Sequence, residues 1–412
     1  MSKKVVLAFS GGLDTSCAVK WLQDKYGLEV ICFSAFIGEV KDKKKLERKA
    51  KAGGAKKVII ENLKQTFAEE YIMPALWAHA RYEGKYPLAT ALGRPLIARR
   101  LAEVALKEKA EYVAHGCTGK GNDQVRIEVG VRTFAPQLKI IAPLREWEFK
   151  SREEEIDYAK RHNIPVDATK ASPYSIDKNI WGIAIEAGIL ENPMTEPPRD
   201  AYVMTKHVDE VSEAPRYITI DFEEGVPVKL NGVRKNLVDM IEGLNEIGGA
   251  YGVGRFDMIE NRLVGIKSRE VYEAPGAEIL LKAHEELEGM VMDREFLHYK
   301  RVLSERYAEL VYFGQWFTPL RLALDEFFKA NQCRVTGRIK VRLEKGHAVC
   351  VGRESPYSLY SEKLATYSAE DTFDHRSAQG FMKVWGMPYE GMFAAGKNVA
   401  KKKNPKKELV VS

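Results

Sequence analysis

The feature that most restricts the fold of this chain is the alternation of short apolar runs and helical patterns over its first 165 residues. The apolar runs are continuous, as strands buried on both faces tend to be, and they are Val5–Phe9, Glu29–Ile37, Val58–Glu61, Tyr112–His115 and Lys139–Pro143. The helical patterns are Thr15–Lys25, Lys43–Ala52, Gln65–His79, Pro95–Lys109 and Arg152–His162. This alternation predicts an α/β fold with a doubly wound parallel sheet. Ligands of such sheets bind at the carboxyl ends of the strands.

The regular alternation of strand and helix patterns stops after Ile164-Pro165, and a different order of elements follows. Further strand candidates are Arg216–Phe222, Val226–Leu230, Arg334–Leu343 and Ala348–Arg353. The dipeptide Asn231-Gly232 is a hairpin turn signal. Helical patterns dominate from Asn236 to Glu246 and from Ala277 to Lys329. This mixture predicts an α+β domain.

We therefore predict three parts, which are an α/β domain over residues 1–168, an α+β domain over 169–360, and a C-terminal helical arm with a basic tail over 361–412. In the arm, Phe381, Val384 and Trp385 fall on one helical face. An apolar face of this kind more often packs on its own or a neighbouring subunit than binds a ligand.

Composition argues against several classes of protein. The chain is 45% hydrophobic and 30% charged, as soluble globular proteins are, and no apolar run approaches the roughly 18 residues of a membrane span. The five cysteines include no C-x-x-C pair, so they indicate neither a zinc site nor a disulfide framework. The run Val5–Phe9 is too short for a signal peptide core. We expect a cytoplasmic protein with no membrane partner.

The net charge of +6 raises the question of a nucleic-acid partner. One basic cluster, Lys41 to Lys57, is interleaved with acidic and apolar residues at helical spacing, as on a solvated helix face. The other, Lys401 to Lys407, lies at the C-terminus, where a frayed tail is the ordinary expectation. We therefore expect no nucleic-acid partner.

The first strand is followed by a glycine loop, Ser10-Gly11-Gly12-Leu13-Asp14-Thr15-Ser16, which opens a helix. Two glycines let the backbone approach a ligand closely, and the amides at the helix start favour an anion. The alternative is a helix cap at Asp14 or Thr15. A cap needs only one of these residues, so the loop indicates a phosphate site. It lacks both the Walker and the dinucleotide patterns.

A second glycine loop follows the strand Tyr112–His115 and runs from Gly116 to Arg126. Three glycines in six residues stand beside a cation, an amide, a carboxylate and an arginine. Such a set suits a dicarboxylic amino acid and a developing phosphoryl charge. The alternative is a polar turn that caps a helix at Asn122 or Asp123.

The first loop resembles S-G-G-x-D-S/T, the pyrophosphate-binding loop of the N-type ATP pyrophosphatases. The second resembles the G-x-T-G-K-G-N-D-Q-V-R-F-E stretch of argininosuccinate synthases, with Ile127 in place of the phenylalanine. Further similar segments are Ile140–Pro143, Ser172–Asp177, Glu186–Glu191, Gly252–Arg255, Ile259–Arg262, Lys267–Arg269, Tyr272–Pro275, Tyr307–Tyr312 and Gly352–Pro356. The chain is thus identified as a member of that family over essentially its whole length.

The resemblance implies ligation of L-citrulline to L-aspartate, with ATP cleaved to AMP and pyrophosphate, Mg²⁺ as the metal cofactor, and a homotetramer. The resemblance also implies that residues 1–168 form a nucleotide-binding domain and residues 169–360 a synthetase domain. The implied ATP contacts are Ala8, Phe9, Ser10, Gly11, Gly12, Leu13, Asp14, Thr15, Ser16, Ala35 and Gly116. The implied aspartate contacts are Thr118, Asn122 and Asp123. The implied citrulline contacts are Tyr86, Asn122, Arg126, Ser175, Glu260 and Tyr272, with Thr90, Ala91 and Ala184 beside them.

We assign catalytic roles to Asp14, Lys120 and Asp123, and no residue is assigned as a metal ligand. Four other positions depart from the family pattern. Phe36 and Glu39 replace residues of the turn after the second strand, and Ala91 and Ala184 stand where serines often help to bind citrulline. A lost hydroxyl weakens binding by about 1 kcal/mol unless Thr90 or water replaces it.

Three other functions remain open at the level of sequence. A tRNA thiolation enzyme of the same superfamily would use a reactive cysteine, for which Cys117 is the candidate. An amidotransferase-linked synthetase would need a glutaminase domain, which the chain does not show. A non-enzymatic nucleotide-binding regulator would have no reason to keep the array from Thr118 to Arg126.

Overall fold

The computed structural model describes residues 3–38, 42–165 and 174–403, with side chains through residue 397. Glu39 and the predicted domain boundary at residue 168 lie outside these ranges. The chain divides into two compact units, Met1–Ser358 and Leu359–Ser412. The predicted division of the first unit into two domains stays a prediction.

The first strands form a five-stranded parallel sheet, and they are β1 (Lys4–Ala8), β2 (Glu29–Phe36), β3 (Lys57–Asn62), β4 (Tyr112–Ala114) and β5 (Lys139–Ile141). Their order is β3-β2-β1-β4-β5, and all four pairings are parallel. The predicted sheet is therefore confirmed. The direction of winding reverses between β1 and β4, which is the point where ligands of such sheets bind. The two glycine loops follow these two strands.

The helices in this part of the chain are α1 (Leu13–Tyr26), α2 (Lys43–Ala52), α3 (Lys64–Phe67), α4 (Met73–Trp77), α5 (Ala89–Lys107), α6 (Asp123–Phe134), α7 (Pro143–Glu146) and α8 (Arg152–Arg161). Helices lie on both faces of the sheet, whereas α3 and α4 pack in a separate core. Alternate residues of β1 enter different cores. Val5 packs with Trp21 of α1, whereas Val6 packs with Leu101 of α5. The sheet is therefore doubly wound, as predicted.

Two predicted helices differ from those observed. The stretch Gln65–His79 is divided by a π-helical turn, Ala68–Ile72, which separates α3 from α4. The helix predicted to begin at Pro95 begins six residues earlier, at Ala89, and runs through the proline. A proline inside a helix costs a hydrogen bond. Burial of most of α5 offsets that cost.

The strands after residue 174 form two antiparallel sheets, and they are β6 (Ser175–Asn179), β7 (Gly182–Glu186), β8 (Arg216–Glu223), β9 (Val226–Leu230), β10 (Val233–Arg234), β11 (Arg255–Asn261), β12 (Lys267–Glu273), β13 (Gly337–Glu344) and β14 (His347–Glu354). One sheet has the order β11-β12-β7-β6 and the other β10-β9-β8-β13-β14. The hairpin predicted at Asn231-Gly232 joins β9 to β10.

The later helices are α9 (Leu237–Ala250), α10 (Pro275–Val291), α11 (Arg294–Tyr312), α12 (Pro319–Lys329), α13 (Glu362–Ala365) and α14 (His375–Lys403). The predicted helical stretch Ala277–Lys329 is thus three helices. Asp293 caps α11 by accepting a hydrogen bond from the Phe296 amide. Gly314 takes a positive φ of 75° after α11, where it ends the helix.

In the second unit, α14 carries Phe381, Val384 and Trp385, which are all more than half exposed within that unit. The rings of Phe381 and Trp385 stack at 5.6 Å between centroids. None of the described helices combines the length and apolarity that crossing a membrane requires.

A buried polar cluster ties α10 and α11 to the segment after α4. Lys300 Nζ donates to Glu288 Oε2 and lies 3.3 Å from His79 Nε2. His79 Nε2 is 2.8 Å from His284 Nδ1, and His284 Nε2 is 3.0 Å from Gln332 Oε1. The ligand atoms of both histidines and Glu288 lie within 4.8 Å of one another, a spacing compatible with a metal ion. The Lys300 ammonium already supplies the positive charge there, so we interpret the cluster as a buried ion pair.

This cluster predicts that acid destabilises the fold. Burial, followed by the charge of Lys300, lowers the pKa of both His79 and His284 well below the ordinary value of 6.5. The unfolded chain therefore binds protons that the folded chain does not, and stability is lost as the pH falls below the unfolded pKa. Between pH 6.5 and 5.5 the free energy of unfolding should fall by about 1 kcal/mol for each histidine. Urea unfolding at several pH values measures this.

The control for this prediction is an exposed histidine on the hairpin between β13 and β14. Replacing His284 by Gln should reduce the acid-dependent loss, whereas His347→Gln should leave it unchanged. A free energy of unfolding that stays constant over this pH range contradicts the prediction.

Candidate active site

The first glycine loop leaves the start of α1 without a side-chain cap. Gly12 is the N-cap residue and has an extended backbone, and no side-chain cap forms here among the described residues. The Ser16 hydroxyl donates to the Gly12 carbonyl at 2.7 Å, and the Thr15 Oγ1 and Ser10 Oγ atoms lie 3.1 Å apart. The interpretation as a cap at Asp14 or Thr15 is therefore wrong. Uncapped amides at a helix start suit an anion.

Gly11 is needed in this loop for two reasons. Its φ is +73°, and a Cβ there would lie 2.3 Å from Leu46 Cδ1 of α2. Lys49, also on α2, donates to the Gly11 carbonyl at 3.1 Å. Helix α2 therefore supports the loop from the side.

The second loop begins beside the first. A Cβ at Gly116 would lie 3.0 Å from Thr15 Cγ2, so the backbones after β4 and β1 approach each other closely. Gln124 folds back from α6 and donates to the Gly119 carbonyl at 2.5 Å. Thr118 and Lys120 are exposed on the loop. The structure thus brings together the residues of the two loops.

Glu155 of α8 places a second carboxyl next to Asp14. Burial, followed by charge repulsion from Asp14 and a hydrogen bond with it, raises the pKa of Glu155 to about 8. The Oε2 atom of Glu155 is buried and has no hydrogen-bond partner among the described residues. Two apposed carboxylates beside a phosphate loop form a donor set that suits a hard divalent cation.

Asp123, the first residue of α6, lies between two arginines. Arg94 of α5 donates to Asp123 through Nε at 2.8 Å, and Arg126 donates through Nη1 at 2.9 Å. Arg94 also bonds to Asp177 of β6. Burial opposes the charge on Asp123, but the two arginines together lower its pKa. Asp123 is therefore an ionised anchor, which fits positioning better than proton transfer.

Glu260 of β11 lies in an aromatic cage. Tyr272 donates to its Oε2 at 2.6 Å, and Tyr312 donates to its Oε1. The Tyr272 ring stacks on Tyr86 at 3.8 Å, and the Tyr312 ring stacks on Tyr82 at 3.5 Å. Burial raises the pKa of Glu260, while bonds from both phenols and the nearby arginines lower it. Tyr86 and Tyr272, both predicted to contact citrulline, therefore belong to one cluster with Glu260.

Arg126 joins the second loop to this cage. Its side chain is buried, its Nε donates to the Tyr312 carbonyl at 2.9 Å, and its guanidinium carbon lies 4.8 Å from the Tyr312 ring centroid. Its Nη2 is buried and has no hydrogen-bond partner among the described residues. A buried guanidinium nitrogen without a partner needs an acceptor. The arrangement therefore suits a ligand carboxylate.

The remaining predicted residues lie around this core. Thr90 Oγ1 is 2.7 Å from the Tyr86 hydroxyl, and Ala91 beside it is buried.

The other predicted residues lie on strands. Ala184 of β7 pairs with Tyr272 across the sheet. Ala35 and Phe36 end β2, and Ser175 begins β6.

Sequence reasoning missed four residues of this arrangement, namely Tyr82, Arg94, Glu155 and Tyr312. Arg94 is a charge inside an otherwise apolar helical stretch, which is a usable signal. Tyr312 lies within the segment Tyr307–Tyr312, which gave a resemblance but no role.

Comparison with known proteins gives the same family for both halves of the chain. Residues 4–165 match the family model described as the arginosuccinate synthase N-terminal HUP domain. Residues 174–392 match the model described as the arginosuccinate synthase C-terminal domain.

Full-length relatives agree. The argininosuccinate synthase of Dictyoglomus thermophilum is 56% identical over 385 residues, which cover 93% of this chain and 96% of the relative. That of Chlorobaculum tepidum is 54% identical, with 94% and 97% covered. That of Bacillus licheniformis is 53% identical, with 94% and 95% covered.

Proposed function

The chain belongs to the argininosuccinate synthase family and is an ATP-dependent ligase, and we propose how its site joins L-citrulline to L-aspartate in arginine biosynthesis. The single observation that carries the site assignment is the buried Arg126 Nη2, which has no hydrogen-bond partner in the part of the chain that the structure describes. Citrulline has a carboxylate, an ammonium group and a neutral ureido tail. Arg126 would bind the carboxylate, and Glu260 would accept from the ammonium group.

The other roles are those that the resemblance to the family implies. Tyr86, Ser175 and Tyr272 would complete the citrulline site, with Asn122 shared between citrulline and aspartate. Thr118 and Asp123 would hold aspartate. The ATP contacts would be Ala8, Phe9 and the residues of the first loop, together with Ala35 and Gly116. Lys120 would stabilise the phosphoryl charge. Asp14 would act at the pyrophosphate, beside the uncapped amides of α1.

The reaction has two steps. The ureido oxygen of citrulline attacks the α-phosphorus of ATP, and pyrophosphate leaves. The amine of aspartate then attacks the adenylated carbon, and AMP leaves. Neither step requires a covalent bond to the protein, so this chain contributes positioning and electrostatic stabilisation.

Mg²⁺ belongs to this proposal, and the carboxyl pair of Asp14 and Glu155 fits it. Within the described ranges the buried Glu155 Oε2 atom has no hydrogen-bond partner, and repulsion between the two carboxyls contributes to the raised pKa of Glu155. A divalent cation between them would remove that repulsion. When bound, Mg²⁺ neutralises phosphate charge.

Replacing Glu155 by Gln should raise the Mg²⁺ concentration that gives half-maximal activity by about tenfold or more, because one anionic ligand is lost. A Mg²⁺ titration of pyrophosphate release measures this. Glu153→Gln is the matched control, because Glu153 lies on the same helix and is exposed. Equal Mg²⁺ dependence in both variants contradicts the assignment.

The tRNA thiolation alternative is disfavoured by Cys117. Burial, followed by the charge of Asp123, raises the pKa of this thiol to about 12. Thiolation chemistry needs a thiolate, and this thiol stays protonated at neutral pH.

The proposal extends to a cytoplasmic homotetramer. All five cysteines are free thiols, which fits a reducing compartment. The exposed apolar side chains of α14 would serve subunit contacts. Light scattering of the full chain, and of a chain ending before α14, tests the assembly.

The test of the function itself is pyrophosphate release from Mg-ATP, with citrulline and aspartate added singly and together. We expect release only when both are present. Release with ammonia or tRNA, and none with the two amino acids, would overturn the proposed substrates.

A further inference from the structure

Tyr312, the last residue of α11, lies where the two proposed amino-acid sites meet. Its hydroxyl accepts a hydrogen bond from Asn122 Nδ2 at 2.8 Å and donates to Glu260. Asn122 opens α6 beside the second glycine loop, and Glu260 is on β11. One phenol therefore connects the residue assigned to aspartate with the carboxylate assigned to citrulline.

The direction of these bonds fixes the orientation of the Asn122 amide. Glu260 accepts the phenol proton, so the Tyr312 oxygen must accept from the Asn122 nitrogen. Asn122 Oδ1 accepts from the Leu263 amide at 2.9 Å, in the turn after β11. The carboxamide is thus held at both ends. The second hydrogen on its nitrogen remains for a ligand.

Tyr312 also fixes Arg126. Its carbonyl accepts from Arg126 Nε at 2.9 Å, and its ring lies under the guanidinium group. The Tyr312 ring also stacks on the Tyr82 ring, at 3.5 Å between centroids and 5° between planes. A single residue therefore sets the position of three groups that the proposed function assigns to substrates.

We propose that Tyr312 is a positioning residue that aligns both amino-acid substrates through Asn122, Arg126 and Glu260. This inference rests on the proposed function. Tyr312 itself needs no contact with a substrate. Its hydroxyl acts by keeping Asn122 and Glu260 in their binding orientations, and its ring and carbonyl act by keeping Arg126 in place.

The test is Tyr312→Phe, which keeps the ring and removes the hydroxyl. The dissociation constants for citrulline and aspartate, measured by calorimetry, should rise about tenfold to a hundredfold, because Glu260 loses a donor. The KM for ATP should stay unchanged. The matched control is Tyr307→Phe, on the same helix, whose hydroxyl donates to Asp325 at 2.8 Å outside the site. Tyr307→Phe should lower the free energy of unfolding and leave the dissociation constants for both amino acids unchanged.

The pH profile gives a readout that a purely structural role would not move. The charged and titratable groups facing Glu260 are Tyr82, Tyr86, Arg126, Arg262, Glu270, Tyr272 and Tyr312. The bond from Tyr312 lowers the pKa of Glu260. Its removal should therefore shift the acid limb of kcat/KM for citrulline to higher pH. The double variant Tyr312→Phe/Glu260→Gln should bind citrulline almost as tightly as Glu260→Gln alone.

Two results would overturn the inference. One is equal amino-acid affinity in Tyr312→Phe and Tyr307→Phe, and the other is an additive double variant. Binding is measured without turnover, so the proposed function is tested separately. Wild-type protein that binds both amino acids but releases no pyrophosphate would overturn the ligation and not the role of Tyr312.

Discussion

Replacing Arg126 by Lys is expected to lower kcat/KM for citrulline by about three orders of magnitude, since loss of a buried charged pairing costs about 2–5 kcal/mol. The guanidinium uses Nε for the Tyr312 carbonyl and Nη1 for Asp123, which leaves Nη2 for the ligand. A lysine ammonium cannot bond to the Tyr312 carbonyl, to Asp123 and to the ligand carboxylate from one position. Steady-state kinetics with citrulline varied at saturating ATP and aspartate measures the loss.

Arg321 provides a control for burial. It is also buried, lies 4.1 Å from the Trp316 ring centroid and pairs with Asp325, outside the proposed site. Arg321→Lys should therefore lower stability without a selective effect on citrulline. A kcat/KM for citrulline within threefold of wild type in Arg126→Lys would show that the guanidinium is not the carboxylate site.

The largest expected effect on stability comes from Lys300. Its side chain is 3% exposed, and that of its partner Glu288 is fully buried. Lys300→Met leaves a buried carboxylate without its cation, so the free energy of unfolding should fall by about 3–5 kcal/mol. Burial already raises the pKa of Glu288, although Lys300 and Gln332 oppose that rise. Urea unfolding at neutral pH measures the change.

A second substitution distinguishes loss of charge pairing from loss of packing. In Lys300→Met/Glu288→Gln no charge is left unpaired, so much of the lost stability should return. Lys20→Met removes a half-exposed ion pair with Asp24 and should cost less than about 1 kcal/mol. A double variant as unstable as the sum of its single variants would show that the two side chains contribute independently.

The parallel sheet was predictable because its strands leave continuous apolar runs. Strands β11 and β12 were missed, and the reason is physical. They carry Glu260, Glu270 and Glu273, whose ionisable side chains are buried. Glu273 is satisfied by amides of residues 203–205, and Glu260 by two phenols. Partners that are distant in sequence therefore satisfy the buried carboxyls of Glu260 and Glu273, and no local sequence pattern reveals such partners.

One part of the candidate site was likewise predictable from the sequence and another part was not. The first glycine loop is local, since the Ser10 hydroxyl contacts Thr15 and the Gly12 amide, and the Ser16 hydroxyl donates to the Gly12 carbonyl. It could therefore be read from sequence as a phosphate site. Asn122 and Arg126 were assigned by resemblance, but their contacts with Tyr312 were not predictable. These contacts join residues that are 190 and 186 positions apart.

The link from Asn122 through Tyr312 to Glu260 has a consequence for folding during synthesis. During synthesis, the first glycine loop and its sheet emerge long before α11. A nascent chain can thus complete its nucleotide loop while both amino-acid sites still lack the residue that aligns them. Because closing such long segments is slow, we expect catalytic competence to appear only after the last helix of the cluster has docked.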